Sequence, residues 1–302
     1  MAALVAVLVV EMVVFTLLAP EFLTRNNFLN VFTAIAVTGI IAMPGTLLIV
    51  AGQFDLSVGS SAALAGVVMA TVASSYSLGL GILAAVAVGL LGGAINGYLV
   101  TVVGVNALIA TLGMLSVLSG LARVLADGLS ISVEGFTSLG TARPFGVPFL
   151  VFLFLAIVVV FAFLMRYTVF GRSVYAIGSN PSAARLAGIK TNRTIFVLFL
   201  LSGLACALAG LILTSMLGSA SPTAAVGLEL SVVTAIVLGG TTLSGGEGTV
   251  LGTLIGLLIV GFLNNGLVLE GVDPFWQLVA QGALLIGAVS FDRLRVRFSD
   301  ER

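Results

Sequence analysis

The sequence predicts an all-α membrane protein of about ten transmembrane helices in two pseudo-repeated halves, a single polytopic domain over 1–302. Only 8% of its 302 residues are charged, 12 basic and 12 acidic, and 60% are hydrophobic, whereas about 25% of a soluble domain is charged. The charges are also clustered. None lies between Asp55 and Arg123, and further uncharged runs cover 26–54, 144–165, 194–228, 248–269 and 274–291. Each run is long enough to cross a hydrocarbon layer as helix. The third observation is a loop sequence that occurs twice, described below.

The first helix is expected over 2–19. It is uncharged apart from Glu11, which would cost about 2.5–3.5 kcal/mol at a lipid-facing helix centre and therefore calls for a protein neighbour or a different start to the span. A cleaved signal peptide would need a basic n-region and a small-x-small cleavage site, and the first ten residues carry no charge, so this helix reads as an uncleaved anchor. A second helix is expected over 31–51. Ser74-Ser75-Tyr76-Ser77 and Gly104-Val105-Asn106 divide the long neutral stretch into 60–76, 81–100 and 106–126. Helices at 149–165 and 194–217 flank the basic loop. The segment 229–241 is short for a crossing and reads as a half-span, and 249–269 and 275–291 complete the set.

Nine of the 12 basic residues lie in two segments: Arg166, Arg172, Arg185, Lys190 and Arg193 in one loop, and Arg293, Arg295, Arg297 and Arg302 at the C-terminus. Basic residues beside spans stay on the cytoplasmic side. Four crossings between them satisfy parity, and both termini are then expected to be cytoplasmic, with 127–148, Glu270 and Asp273 outside.

Composition also excludes functions. The chain has no histidine and one cysteine, so the commonest general base and zinc ligand are missing, and no disulfide or CxxC pair can form. Cys206 lies within an apolar run and reads as small packing. No metal site is expected. Zero net charge with scattered basic residues leaves no surface for a nucleic-acid backbone; the partner that the composition demands is the lipid bilayer. Glycine, 37 of 302 residues, exceeds the usual 7% or so. Gly89-x-x-x-Gly93, Gly252-x-x-x-Gly256 and the stripe Gly203, Ala207, Gly210 suit close helix packing in lipid.

The repeated loop is Ile49-Val50-Ala51-Gly52-Gln53-Phe54-Asp55-Leu56-Ser57-Val58-Gly59 and Ile236-Val237-Leu238-Gly239-Gly240-Thr241-Thr242-Leu243-Ser244-Gly245-Gly246. Six of eleven positions are identical at an offset of 187. Asn96-Gly97 and Asn265-Gly266 form a weaker echo. Interrupted spans in corresponding halves are a feature of transport pathways. Asp55, the one acid between Glu21 and Asp127, has three readings: a cap for the helix that follows, a polar group on a permeation path, or a proton-coupling carboxylate. Coupling needs an intramembrane relay partner, which this sequence scarcely offers.

The loop 166–193 is the one sizeable polar loop on the basic side. A turn at Gly178–Pro181 precedes a short helix, with Ser179 or Asn180 as cap, Pro181 in its first turn and Gly188 as terminator.

Three blocks of sequence resemble the permease subunits of bacterial ATP-binding-cassette importers for ribose and related monosaccharides, within the branched-chain amino-acid/ribose permease superfamily. They are Gly52–Ser60, Gly171–Ile189, and Gly239–Gly246 followed by Asn264-Asn265-Gly266-Leu267, in the family's order. The resemblance implies an ABC importer permease fold in the bacterial inner membrane and a transport subunit that is not itself an enzyme. It makes 166–193 the coupling loop for a separate cytoplasmic ATPase, with Gly171, Arg172, Gly178, Asn180, Ala183, Ala184, Arg185, Leu186, Gly188 and Ile189 as its motif. No GxxxxGK[ST] motif occurs, so no cofactor is expected in this chain, and ATP and Mg would be bound by the ATPase. A second permease chain, identical or paralogous, and an extracytoplasmic sugar-binding protein complete the implied assembly. Candidates for the translocation path are Gln53, Asp55, Ser57, Asn106, Thr111, Asn264 and Asn265, helix capping or packing being the alternative for each. Gln53 and Phe54 replace the family's Gly-Ile, so ribose itself is not carried over; a nucleoside, a signalling furanose or a branched amino acid remain as other solutes.

Overall fold

The computed structural model describes the backbone of residues 2–300 and the side chains of 4–273, 275–287 and 290. Its helices are α1 (Ala2–Leu18), α2 (Arg25–Val50), α3 (Val58–Ser75), α4 (Leu78–Tyr98, extended by a π turn over Leu99–Val103), α5 (Ala107–Leu125), α6 (Ser138–Thr141), α7 (Phe149–Tyr167), α8 (Val169–Ser179), α9 (Pro181–Leu186), α10 (Thr191–Leu217), α11 (Leu228–Leu238), α12 (Val250–Leu269) and α13 (Pro274–Asp300). Two residues of β1 (Ile131–Ser132) pair antiparallel with two of β2 (Ser219–Ala220).

Among the described residues, seven helices are long and apolar enough to cross a membrane: α2, α3, α4 with its π turn, α5, α7, α10 and α12. The apolar stretches Leu4–Leu18, Leu228–Leu238 and Phe275–Gly287 are shorter. All ten expected spans fall on helices, seven of them of full crossing length among the described residues. Helix α2 starts six residues before its expected position because the Thr24 hydroxyl accepts the Asn27 amide at 3.3 Å, so polar Arg25–Asn27 form a capped first turn. Ser77 starts α4 in the same way, accepting from the Leu80 amide.

The breaks lie on two opposite faces. On one, Leu4 packs beside Gly240, the Gly246 amide donates to the Val50 carbonyl at 2.8 Å, and the Asn192 amide donates to the Thr101 carbonyl at 2.7 Å. On the other, β1 meets β2, the Gly140 amide donates to Ser215 Oγ at 3.0 Å, and Arg25 reaches Gly146. The α1 start and the α8–α9 segment thus share a face. Arg293, Arg295, Arg297 and Arg302 lie outside the residues whose side chains are described.

The core is built around α10, which packs on α2, α3 and α4. Small residues make this possible. A methyl group at Gly203 would strike the Gly89 carbonyl, one at Gly93 the Phe199 carbonyl, and one at Gly210 the Ala62 carbonyl. Gly252 and Gly256 hold α12 against the carbonyls of Gly239 and Ala235. The stripes read from sequence are therefore the α4–α10, α3–α10 and α11–α12 seams. Cys206 is buried beside them. Glu11 turns its carboxylate inward, where both oxygens are buried without a partner, on a helix that packs against α12. Polar pairs latch α2 to α12 near both ends: Thr46 with Thr253 at 2.8 Å, and the Asn27 and Asn265 amides at 2.7 and 2.9 Å. In lipid such pairs hold helices that gain little from apolar contact.

The constant repeat offset is corrected by the structure. Helices α2 and α11 end alike, each on a left-handed glycine, Gly52 (φ 73°) and Gly240 (φ 85°), followed by an amide that returns to the carbonyl five residues back, Gln53 to Leu48 and Thr241 to Ile236. The structural offset is thus 188 at the helix ends, and the next helices start at Val58 and Val250. The ungapped alignment matches glycines of different roles, because glycine serves both as C-cap and as packing residue. The Asn echo does not correspond either: Asn96 lies on the α4 face toward Ser57, Asn265 on the α12 face toward Asn27.

Gly203→Leu is expected to force α4 from α10 and cost about 1–3 kcal/mol or more, read as a fall of several degrees in the unfolding temperature of the detergent-purified protein. Gly79→Ala, with nothing within 4 Å of the new methyl, is expected to leave that temperature unchanged.

Candidate functional site

The residues singled out in 166–193 form two helices rather than one. The Thr168 hydroxyl caps α8 by accepting the Gly171 amide at 3.2 Å, and the absence of a side chain at Gly171 lets the turn close against the Leu164 and Met165 carbonyls. Val174 and Ile177 are buried, so α8 is anchored along one side. Asn180 is the N-cap of α9, accepting from the Ala183 amide at 2.9 Å, with Pro181 in the first turn. Gly188 (φ 84°) ends it. Ala184 is buried, Ile189 half-buried, and Arg172, Ala183, Arg185 and Leu186 are exposed. Leu186 is 92% exposed, an apolar side chain at the tip of a basic platform.

This platform is joined directly to both repeated breaks. Gly178, at the end of α8, fits against the Val50 carbonyl and the Gly246 amide, the two groups that bond to each other across the breaks. A side chain at Gly178 would displace both. The Tyr175 hydroxyl donates to the Gly248 carbonyl at 2.7 Å, and burial raises its pKa above the ordinary tyrosine value. The ends of α2, α8 and the 239–249 loop therefore meet in one knot.

Asp55 lies deeper. One carboxylate oxygen accepts from the Ser57 amide at 3.0 Å and the Ser57 hydroxyl at 2.6 Å; the other accepts from Ser202 Oγ at 2.8 Å. The Asn96 amide donates to Ser57 Oγ at 2.9 Å and approaches Asp55 at 3.5 Å. Asn96 Oδ1 is buried without a partner. Ser202 is the twelfth of the 27 residues of α10, about 17 Å along it at 1.5 Å per residue. The segment after α2 thus turns back into the layer, and Asp55 ties the start of α3 to α4 and α10 at mid-depth. The carboxylate bonds the turn ahead of α3; the helix itself starts at Val58 without a side-chain cap bond.

The remaining path candidates do not converge. Gln53 and Asn106 line a cavity of about 610 Å³ beside the knot, with Phe54, Arg185, Asn192 and Leu243. Asn106 also caps α5, accepting from the Leu108 amide at 2.9 Å. Thr111 is fully buried, its hydroxyl donating to the Ala107 carbonyl. Asn264 has a buried carbonyl oxygen without a partner, and Asn265 is taken up by Asn27. A second cavity, of about 330 Å³, is lined by Gly59, Ser60, Ser116, Ser119, Arg123 and Glu229 among others. Sequence reading noted Asn96 only in the weaker echo and Ser202 not at all, and of the second cavity it singled out Gly59 and Ser60 alone, within the first motif block. Glu229 carried a signal, as the charge that ends the run 194–228 at the start of a half-span. Ser202 carried none, since a serine within an apolar helix is an ordinary packing residue. No group of three His, Cys, Asp or Glu suited to a metal ion occurs among the described residues.

Residues 27–289 match the family described as branched-chain amino acid transport system / permease component. The chain is 40% identical over 298 residues to the ribose import permease protein RbsC of Escherichia coli (strain K12), covering 96% of this chain and 92% of that protein. It is 42% identical over 291 residues to RbsC of Bacillus subtilis (strain 168), covering 95% and 90%, and 39% identical over 298 residues to the L-arabinose transport system permease protein AraH of Escherichia coli (strain K12), covering 98% and 90%. No solved structure matches.

Asp55→Asn replaces one acceptor oxygen with a donor in a site supplied with donors, and is expected to destabilise the protein by about 1–3 kcal/mol. Ser202→Ala is expected to cost less. In the double variant the losses should fall short of their sum, measured by thermal unfolding in detergent; full additivity would show that the two side chains act separately.

Proposed function

Since the chain belongs to the branched-chain amino acid transport system / permease component family, we propose that it is the membrane-spanning subunit of an ATP-driven importer of a monosaccharide. Full-length likeness to permeases named for two pentoses, ribose and arabinose, supports the solute class. The observation that carries the mechanism is the knot joining α8–α9 to both helix breaks.

In this reading the face bearing α8, α9 and the start of α1 is cytoplasmic, as the five basic residues between Arg166 and Arg193 favour. A separate ATPase, which binds ATP and Mg, docks on the exposed tip of α9 around Arg185 and Leu186. Gly178 and Tyr175 then pass its movement to the Val50 carbonyl, Gly246 and Gly248, at the ends of α2 and α11 and the start of α12. Because α2 and α12 are latched as a pair by Thr46–Thr253 and Asn27–Asn265, a push at the knot moves them as a body, the type of motion by which access alternates across a membrane. A second permease chain completes the path, and an extracytoplasmic sugar-binding protein delivers the solute to the face of β1 and β2. The chain carries no covalent chemistry of its own. It resides in the bacterial inner membrane with both termini on the cytoplasmic side.

Proteoliposomes containing this chain, its ATPase and its binding protein are expected to accumulate a pentose only when ATP is supplied on the ATPase side. Uptake by this chain alone on a proton or sodium gradient would overturn the proposal. Leu186→Asp should leave the unfolding temperature unchanged, because the side chain is free of the fold, and reduce solute-stimulated ATP hydrolysis at least tenfold.

A further inference from the structure

The cavity of about 330 Å³ between α3, α5 and the start of α11 is not explained by anything above. Its floor is deep. Gly59 lies in the first turn of α3, four residues after Asp55, which bonds Ser202 near the middle of α10, and a methyl at Gly59 would meet the Glu229 carboxylate at 2.5 Å. Helix α11 has 11 residues, about 16 Å, so Glu229 in its first turn also sits well inside the layer. From this floor the cavity follows α5 from Leu115 to Arg123, about 12 Å of helix, toward the face of β1 and β2. It is a cleft that leads from that face to mid-depth.

Its lining mixes apolar Ala63, Leu115, Pro222 and Val226 with a polar set: Ser60, whose hydroxyl donates to the Ser57 carbonyl, Ser116, Ser119, Arg123 and Glu229. Ser116 and Arg123 are exposed and Ser119 half-exposed. A carboxylate and a guanidinium cannot face hydrocarbon without a cost of several kcal/mol, so the cleft belongs against water or another protein surface. Its volume falls within the range of small-molecule sites, about 300–1,000 Å³. A carboxylate accepts two hydrogen bonds at once, which matches neighbouring hydroxyls of a polyol, and Ser116, Ser119 and Arg123 donate to its ring and hydroxyl oxygens. Among the described residues no aromatic ring lines the cleft.

We propose that this cleft is the solute's contact site within the permease, with Glu229 as the principal acceptor for sugar hydroxyls, Ser116 and Ser119 as further contacts and Arg123 at its rim. Gly59 serves the site by leaving room for the Glu229 carboxylate at the end of the first helix break. The proposal rests on the importer reading above and deepens it.

The test uses the whole assembly, with wild-type pentose uptake as the reference. Glu229→Gln is expected to lower uptake at saturating binding protein at least tenfold in a complex that purifies intact, and Ser116→Ala with Ser119→Ala at least threefold. Ser119→Cys supplies an independent readout, because the native Cys206 is buried. A membrane-impermeant thiol reagent added from the binding-protein side should label Ser119→Cys, and should label it more slowly during sugar turnover. Wild-type uptake by both Glu229→Gln and the double serine variant overturns the proposal and leaves the importer reading standing. Failure of the reagent to reach Ser119→Cys overturns it as well. Should Glu229→Gln not fold, the serine pair and the labelling decide alone. Absence of any ATP-driven sugar uptake by the wild-type assembly overturns the importer reading and this site with it.

Discussion

Backbone contact along the α10 seams is the constraint on which the rest of the structure depends. Apolar side chains gain little by leaving lipid tails for one another, so helix association here comes from close approach, and close approach needs residues without side chains. Gly89 and Gly93 on α4, Gly203 and Gly210 on α10 and Gly66 on α3 provide it, each facing a main-chain group of its neighbour. With α3, α4 and α10 locked in this way, the distance from Asp55 to Ser57, Asn96 and Ser202 is set, and one carboxylate can join three helices at a depth where an unpaired charge would be costly.

The same seams determine where the chain is allowed to be irregular. Extended backbone in hydrocarbon must find its hydrogen bonds in protein. The segment between α2 and α3 does so through the amides of Gln53 to the Leu48 carbonyl and of Ser57 to the Asp55 carboxylate, and the segment between α11 and α12 through Gly246 to Val50 and Tyr175 to Gly248. The two breaks solve their problem jointly, each supplying a partner to the other, and the turn between α8 and α9 sits on their junction. A platform on the surface is thereby connected to the two helix breaks by main-chain contact at Gly178 and by the Tyr175 hydroxyl.

Much of this was legible in the residues. The charge-free runs located the spans, the Gly stripes located the seams, and Asn180-Pro181 with Gly188 spelled out a capped short helix that the structure contains. These signals are local or periodic, so a linear reading captures them. The repeat was legible in kind and wrong in register, since Gly52 and Gly240 share a role that the alignment assigns to Gly52 and Gly239. Thr111 and Asn265 drew notice as polar groups in apolar runs, yet one bonds its own helix and the other bonds Asn27, which lies 238 positions away. A polar residue in a membrane helix has to be satisfied by something, and composition does not say by what.

The sequence alone determined that this chain lives in lipid, where its apolar segments run, which loop is basic and which positions lack side chains, because hydropathy, charge and glycine content act on each segment separately. Tertiary structure decided which polar groups meet. It made Asp55 a bolt among three helices, placed Gly178 on the junction of both breaks, and brought Glu229 against Gly59 at the base of a polar cleft. Asp55 with Ser202, Gly178 with Val50 and Glu229 with Gly59 each join residues more than a hundred positions apart, and such pairings exist because close-packed helices leave each buried donor and acceptor only one or two neighbours to choose from.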